Sequence, residues 1–363
     1  MRQIKIAITG DLNISGSFEN KIRKNVEIFS KDVLDILHSA DYCICNLEGP
    51  VTDKSEPEDS FKTNLKSPLN TISYLSERNI KIFNLANNHS LDFGEKGLAD
   101  TINEIKRNNC QYFGASNTTD ALQNNILFAD FIKIQIQCFT EKIKNNNTQI
   151  AYKKHLKPNK AKANWNIIMH HGGEEYSLYP SPTKRNLLNK IRKKYNPDII
   201  ISHHSHTLQG VEQIKNTSVF YSLGNFIFDI VPHYLYKYTN ESAILLLTFT
   251  ETQWQYEILP IRIDRENGVI ESGNKNITER FKEISDFSDY KSKWRKEAYR
   301  VLIKRNASAL ENKQDAKPLY KMRKSELIFS LEFYKKSIKI LFDRNNRSLY
   351  WNALIYKLFY AND

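Results

Sequence analysis

Short apolar runs rich in β-branched residues recur along this chain, and five of them stop on residues that carry chemistry. Ile4–Thr9 stops on Gly10-Asp11, Tyr42–Leu47 on Glu48-Gly49-Pro50, and Ile80–Leu85 on Ala86-Asn87-Asn88-His89. Trp165–Met169 stops on His170-His171-Gly172-Gly173-Glu174-Glu175, and Ile199–Ile201 on Ser202-His203-His204-Ser205-His206. Further strand-like runs are Ile126–Cys138, Val219–Phe228, the edge-like Ala243–Thr250 and Trp254–Ile263, while Val26–His38, Pro68–Glu77, Gly97–Arg107 and Thr183–Lys194 are amphipathic. Strands alternating with helices specify a layered α/β domain, and such sheets gather ligands at the carboxyl ends of their strands.

Taken singly, most of these endings have an ordinary reading. Gly-Asp makes turns and caps, and Asn-His tolerates the left-handed conformation that caps the next helix. The histidines break the tie. The chain has nine, and six of them stand at three strand ends. His204-x-His206 places two imidazoles on one side of the chain, as a metal requires. Imidazole, carboxylate and amide ligands without thiolate suit Mn, Fe or Zn, and Asp11 with Glu48 supplies enough charge for two divalent cations. Asn225, in Tyr221–Asp229, reads equally as part of a buried strand with a glycine bulge or as a residue that orients a ligand histidine.

In this order the segments Gly10-Asp11, Asn46-Leu47-Glu48, Ala86-Asn87-Asn88-His89, His171–Tyr176, His203-His204-Ser205-His206 and Ser222–Phe226 resemble the CapA family. This is the poly-γ-glutamate capsule synthesis group of the calcineurin-like metallophosphoesterases. Asp92-Phe93-Gly94, Phe113-Gly114-Ala115 and Pro197-Asp198 extend the likeness over roughly residues 3–230. The resemblance implies a four-layer αββα sandwich with a dimetal site at the strand ends. It implies Asp11 on the first ion, Glu48 as the bridge, Asn88 and His171 on the second ion, and His204 and His206 completing the pair. His89 would protonate the leaving oxygen, with His203 and Glu175 in support. Asn13 stands where the wider superfamily often has a further ligand histidine, which leaves the first ion with fewer ligands; Ser205 and Gly172 replace residues that supply none.

At 363 residues the chain can bury a large core without disulfides, and Cys43, Cys45, Cys110 and Cys138 show no paired C-x-x-C spacing, which fits a reduced, cytoplasmic compartment. Met1 leads straight into Ile4–Ile8, so neither a leader peptide nor a spanning helix is expected. Residues 280–363 hold 20 Lys and Arg against 10 Asp and Glu, nearly all of the net +12. Basic character therefore belongs to the tail, and nucleic-acid binding by the site domain is not expected. The texture changes near 265–280, which divides the chain into a metallophosphoesterase-like domain at 1–270 and a basic, mainly helical extension at 271–363, including Ser325–Phe342. Asn145–Thr148 reads as a loop. The basic aromatic helices Lys291–Lys304 and Ser325–Lys339 fit either ordinary packing, which is preferred, or peripheral contact with an anionic membrane. Three functions compete: a hydrolase in synthesis of a capsule or cell-envelope polymer (poly-γ-glutamate or polysaccharide), a general phosphodiesterase or phosphatase on a soluble phosphoester, and a non-catalytic assembly protein that keeps its metal. The partner expected of either enzyme is an anionic polymer or a phosphoester.

Overall fold

The computed structural model describes residues 2–59, 63–116, 122, 125–129, 131–141, 149–158, 163–310, 351–353 and 355–356. The chain runs β1 (Ile4–Leu12), α1 (Ser17–Arg23), α2 (Lys31–Ser39), β2 (Tyr42–Leu47), α3 (Thr71–Ser76), β3 (Ile80–Asn84), α4 (Gly94–Arg107), β4 (Gln111–Phe113), β5 (Asn125–Ala129) and β6 (Lys133–Thr140). It continues through β7 (Trp165–His171), α5 (Pro182–Tyr195), β8 (Ile199–His203), β9 (Leu208–Ile214), β10 (Thr217–Leu223), β11 (Asn225–Ile227) and α6 (Val231–Tyr234). It closes with β12 (Glu241–Phe249), β13 (Trp254–Asp264), β14 (Val269–Ser272), α7 (Lys275–Ile284) and α8 (Tyr290–Leu310).

Eight strands form one sheet in the order β14-β13-β12-β1-β2-β3-β4, with β11 also beside β1; six form the other, β5-β6-β7-β8-β10-β9. In the first, β1 to β4 run parallel, and in the second β6, β7, β8 and β10 do. Strand periodicity places the layers. Ile167, Met169, Ile199, Ile201 and Phe220 join the main core with Ile6, Ile8 and Ile44 of the other sheet. Their neighbours Ile168, Ile200, Val219 and Tyr221 point the opposite way, onto Leu188 and Ile191 of α5. With α2, α3 and α4 against the first sheet, the result is the expected αββα sandwich.

Four segments differ from their sequence reading, the first being the edge-like Ala243–Thr250, which as β12 lies inside the sheet between β1 and β13. Val26–Ser30 is not helical: Ile28 and Ser30 bond to Ile270 of β14, and α2 starts only at Lys31, with the Ser30 hydroxyl accepting from Val33 N. Ile126–Cys138 is an antiparallel pair, β5 and β6, rather than one run. Val219–Phe228 is two strands in different sheets. Its chain breaks at Gly224, whose φ of 77° only glycine adopts readily, so β10 stays in the six-stranded sheet while β11 joins β1. Gly10 faces this break so closely that a Cβ there would lie 2.1 Å from the Gly224 carbonyl oxygen, and the next residue, Asp11, donates its amide to that oxygen at 2.9 Å.

A division at 270/271 would cut through β14. Beyond that strand, α7 lies across β9, its Ile284 carbonyl filling the space above Gly210. α8 buries Trp294, Ala298 and Val301 against Tyr176 and Tyr179. Among the described residues no helix is long and apolar enough to cross a membrane. Asn145–Thr148 and Ser325–Phe342 lie outside the described residues.

Candidate metal centre

Both sheets direct the carboxyl ends of their parallel strands to one rim, and the predicted residues meet there. Asp11 stands next to last in β1, opposite Asn46 of β2, and Glu48 follows β2; both carboxylates are fully buried. Asn46 Nδ2 donates to Asp11 Oδ1 at 2.9 Å, and the backbone amide of His204, from the other sheet, donates to Asp11 Oδ2 at 3.0 Å. His203 Nδ1 lies 3.3 Å from Asp11 Oδ1. Around Glu48 Oε1 stand Nε2 of His89, His171 and His206 at 3.8, 3.8 and 3.9 Å. His171 Nδ1 touches Asn46 at 3.1 Å, so its Nε2 is turned toward Asn88 Oδ1 at 2.7 Å and His204 Nδ1 at 3.1 Å. His206 Nδ1 pairs with Asn225 Oδ1 at 2.9 Å, which leaves Nε2 to face Glu48. Glu175 Oε1 stands 3.7 Å from His204 Nε2.

The turn carrying the His204/His206 pair is strained. Both residues have positive φ, 88° and 56°, although neither is glycine. Such conformations persist only where the surroundings over-determine them, and they concentrate at functional sites. Here Asp11 ties down the amide of His204, Tyr176 N donates to Ser205 O, and Asn225 holds the ring of His206 and donates to its carbonyl.

Burial decides the protonation states of the imidazoles. It lowers His171 well below the usual imidazole range, with Asp11 pulling partly back, and lowers His206, opposed by Asp11 and Glu175. These rings are neutral near pH 7 and keep a lone pair. For Asp11 burial works upward, but the close approach of His203 Nδ1 and the electrostatic pull of the surrounding imidazoles outweigh it and hold the carboxyl below its usual range.

Three sets of donors lie within reach of a common ion: Asp11 with Glu48 and His206; Glu48 with His171 and His204; and Glu175 with His204 and His206. Two of the sets share Glu48. Buried carboxylates among neutral imidazoles are the donor chemistry of Mn, Fe or Zn, so the residues present fit a pair of divalent cations. They open onto a cavity of about 660 Å³ whose wall includes His89, Asp92, Glu175, Tyr176 and Phe228. His89 is oriented by Asp92, whose Oδ2 lies 2.6 Å from Nδ1.

All ten residues singled out in the sequence, Asn225 included, come together here. Several neighbours were not foreseen. Asn46 and Asp92 stand inside the quoted motifs, and Asn46 shares a strand face with Glu48, two residues on, which was a usable signal. His233, fully buried with its ring 4.6 Å from that of His206, gave none.

Residues 5–230 match the profile of the family described as bacterial capsule synthesis protein PGA_cap. The chain belongs to that family. Every donor above lies inside the PGA_cap segment, whereas β12 to β14, α7 and α8 lie beyond it. Among relatives, it is 29% identical over 249 residues to the capsule biosynthesis protein CapA of Bacillus anthracis, covering 62% of this chain and 60% of that one. It is 27% identical over 243 residues to the PGA biosynthesis protein CapA of Bacillus subtilis strain 168, covering 62% and 63%. The match thus spans about three fifths of each relative's length. Solved structures with a similar course include a phosphatase from Mycoplasma pneumoniae (15% identity, TM-score 0.48, 80% of this chain and 99% of that one). Another is the calcineurin-like phosphoesterase YfkN of B. subtilis (13%, TM-score 0.42, 78% and 96%).

Proposed function

We propose that the chain is a metal-dependent hydrolase that works in synthesis of a capsule or cell-envelope polymer, poly-γ-glutamate or a polysaccharide. The observation that carries this reading is the sharing of Glu48 by two donor sets, one of which reaches through His206 a cavity that also presents His89. Asp11, Glu48 and His206 would hold one cation, and Glu48, His171 and His204, with Asn88, the other. When bound, the pair supplies Lewis acidity toward a phosphoryl or acyl oxygen and an acidified water. The protein does the rest. Asp92 fixes the ring of His89 through Nδ1, so that Nε2 faces the cavity and, when protonated, donates to the departing oxygen. Among its described residues the cavity wall carries Glu58, Asp59, Asp92, Glu141 and Glu175 and neither Lys nor Arg. Among these described residues no side-chain cation draws in an anionic substrate, and bound metal ions would supply that attraction. The names of the two CapA relatives support the polymer assignment.

The test is metal content of the purified protein followed by assay of the Mn-loaded form on poly-γ-glutamate, capsular polysaccharide and phosphodiesters. Cleavage of a polymer supports the proposal. Turnover of small phosphodiesters alone favours the general phosphoesterase, metal without turnover favours an assembly protein, and no metal uptake removes both enzymatic readings.

A further inference from the structure

The wall of the cavity is pinned from a direction that the site itself does not supply. Tyr176, next to Glu175, lines the cavity with its ring stacked on Tyr236 at 3.9 Å and 7°, and its φ is +64°. A tyrosine does not rest there unaided. On its inner side the segment is tied to the His204/His206 turn: Tyr176 N donates to Ser205 O at 2.7 Å, and Ser177 O accepts from Thr207 Oγ1 at 2.7 Å and Gln209 Nε2 at 2.8 Å. On its outer side three hydrogen bonds come from α8. Arg300 Nη2 donates to the Tyr176 carbonyl at 2.7 Å, Glu297 Oε2 accepts from Leu178 N at 3.1 Å, and Tyr290 Oη donates to Pro180 O at 2.6 Å. Arg300 and Glu297 also bond to each other through Nη2 at 2.8 Å and Nε at 3.1 Å, so the two act as one unit. Glu297 is 8% exposed, which strengthens a charged hydrogen bond relative to one in water.

We infer that α8, through Arg300 and Glu297, is a positioning element of the metal cavity. It holds Tyr176 in the left-handed conformation and thereby sets where Glu175 stands relative to His204 and His206. This gives a role to a helix that lies outside the PGA_cap segment. It rests on the proposed function in one respect, that the Glu175, His204 and His206 donors serve a cation. Neither Arg300 nor Glu297 lines the cavity.

The experiment compares Arg300→Ala, Arg300→Lys and Glu297→Gln with the control Lys296→Ala, an exposed residue of the same helix. Two readouts are taken on the full chain: amide exchange of the segment 174–180, and calorimetric Mn(II) titration. Arg300→Ala should speed exchange of that segment, leave β8 protected, and weaken Mn(II) affinity about tenfold, the usual scale for residues that support a ligand from behind. Arg300→Lys, which can still donate to the Tyr176 carbonyl, should recover part of both effects, and Lys296→Ala should show neither. Should Arg300→Ala fail to fold, Glu297→Gln, equal in volume, should show the same pair of changes at lower amplitude. Unchanged exchange of 174–180, or an unchanged Mn(II) isotherm in a variant whose exchange has risen, overturns the inference. If the wild-type chain takes up no metal, it is the proposed function that fails, and the exchange data alone then decide whether α8 holds the wall.

Discussion

From the eight-stranded sheet and its strand ends come oxygen donors, Asp11, Glu48 and Asn88; from the six-stranded sheet come the imidazoles of His171, His204 and His206. The two contributions are also built differently. Asp11 belongs to a strand, its register fixed by pairing with Asn46 on one side and Asn225 on the other. His204 and His206 belong to a turn with two positive-φ residues, a conformation that costs on the order of 1–3 kcal/mol per residue and is held by tethers from elsewhere. Oxygen ligands placed by a ladder tolerate loss of a neighbour. His204 and His206, placed by tethers, do not, whereas His171 stands in the β7 ladder itself, and the site is complete only when the sandwich has closed.

The sharpest way to break this comparison is to remove one donor from each side. His204 belongs to two of the three donor sets and Asp11 to one, so His204→Ala should lose more metal per chain than Asp11→Ala, as read by elemental analysis. Equal stoichiometry in the two variants would contradict the division. Next in size, His89→Ala should retain metal and lose about 10²–10⁴ in turnover, since the ring is placed for proton transfer. Parallel loss of metal would show His89 to be a ligand instead. Gly10→Ala attacks the seam between the halves: its Cβ meets the Gly224 carbonyl, and urea denaturation should register a loss of about 3 kcal/mol or more.

Asn225→Ala tests the tethers alone. It frees the ring of His206 without touching a donor and should weaken metal binding by about 10–100-fold, whereas Thr52→Ala, which removes a bond to Asp100 on the first sheet's side, should leave it unchanged. The smallest effect concerns the thiols, which serve as a probe of packing. Burial pushes the Cys43 thiol up to about 12 and those of Cys45 and Cys138 well above the usual range, while half-buried Cys110 is raised less. At pH 8 an alkylating reagent should label Cys110 first, and rapid labelling of Cys43 would mean that the first sheet opens readily.

What could be read from the sequence follows from where the information lies. A strand end that carries Asp11, Glu48 or His171 announces itself, because an apolar run stops on a polar residue within a few positions. The layered fold was legible for the same reason. Features that depend on the path between runs were not. Val219–Phe228 is apolar at most positions, and only Gly224 hints that it changes sheets. β9 is partly exposed and contains Glu212 and Gln213, so no apolar run marked it. Val26–Ser30 satisfies its backbone through Ile270, more than two hundred residues away in sequence, and helical periodicity could not compete with a partner so remote. The bonds from Arg300 and Glu297 to 176–178 likewise join segments about 120 positions apart, and no local pattern encodes them.

The passage of the chain from β10 to β11, from sheet to sheet at Gly224, limits how this molecule can move. Many two-lobed proteins admit a ligand by swinging their halves apart like jaws. Here a single peptide crosses the seam beside Asp11, locked by the bond from Asp11 N to Gly224 O, and any such swing would have to tear it. The cavity floor is therefore an anvil of fixed shape. Adaptation to ligands of different length or bulk falls to segments of the mouth that carry no donor, among them 228–236.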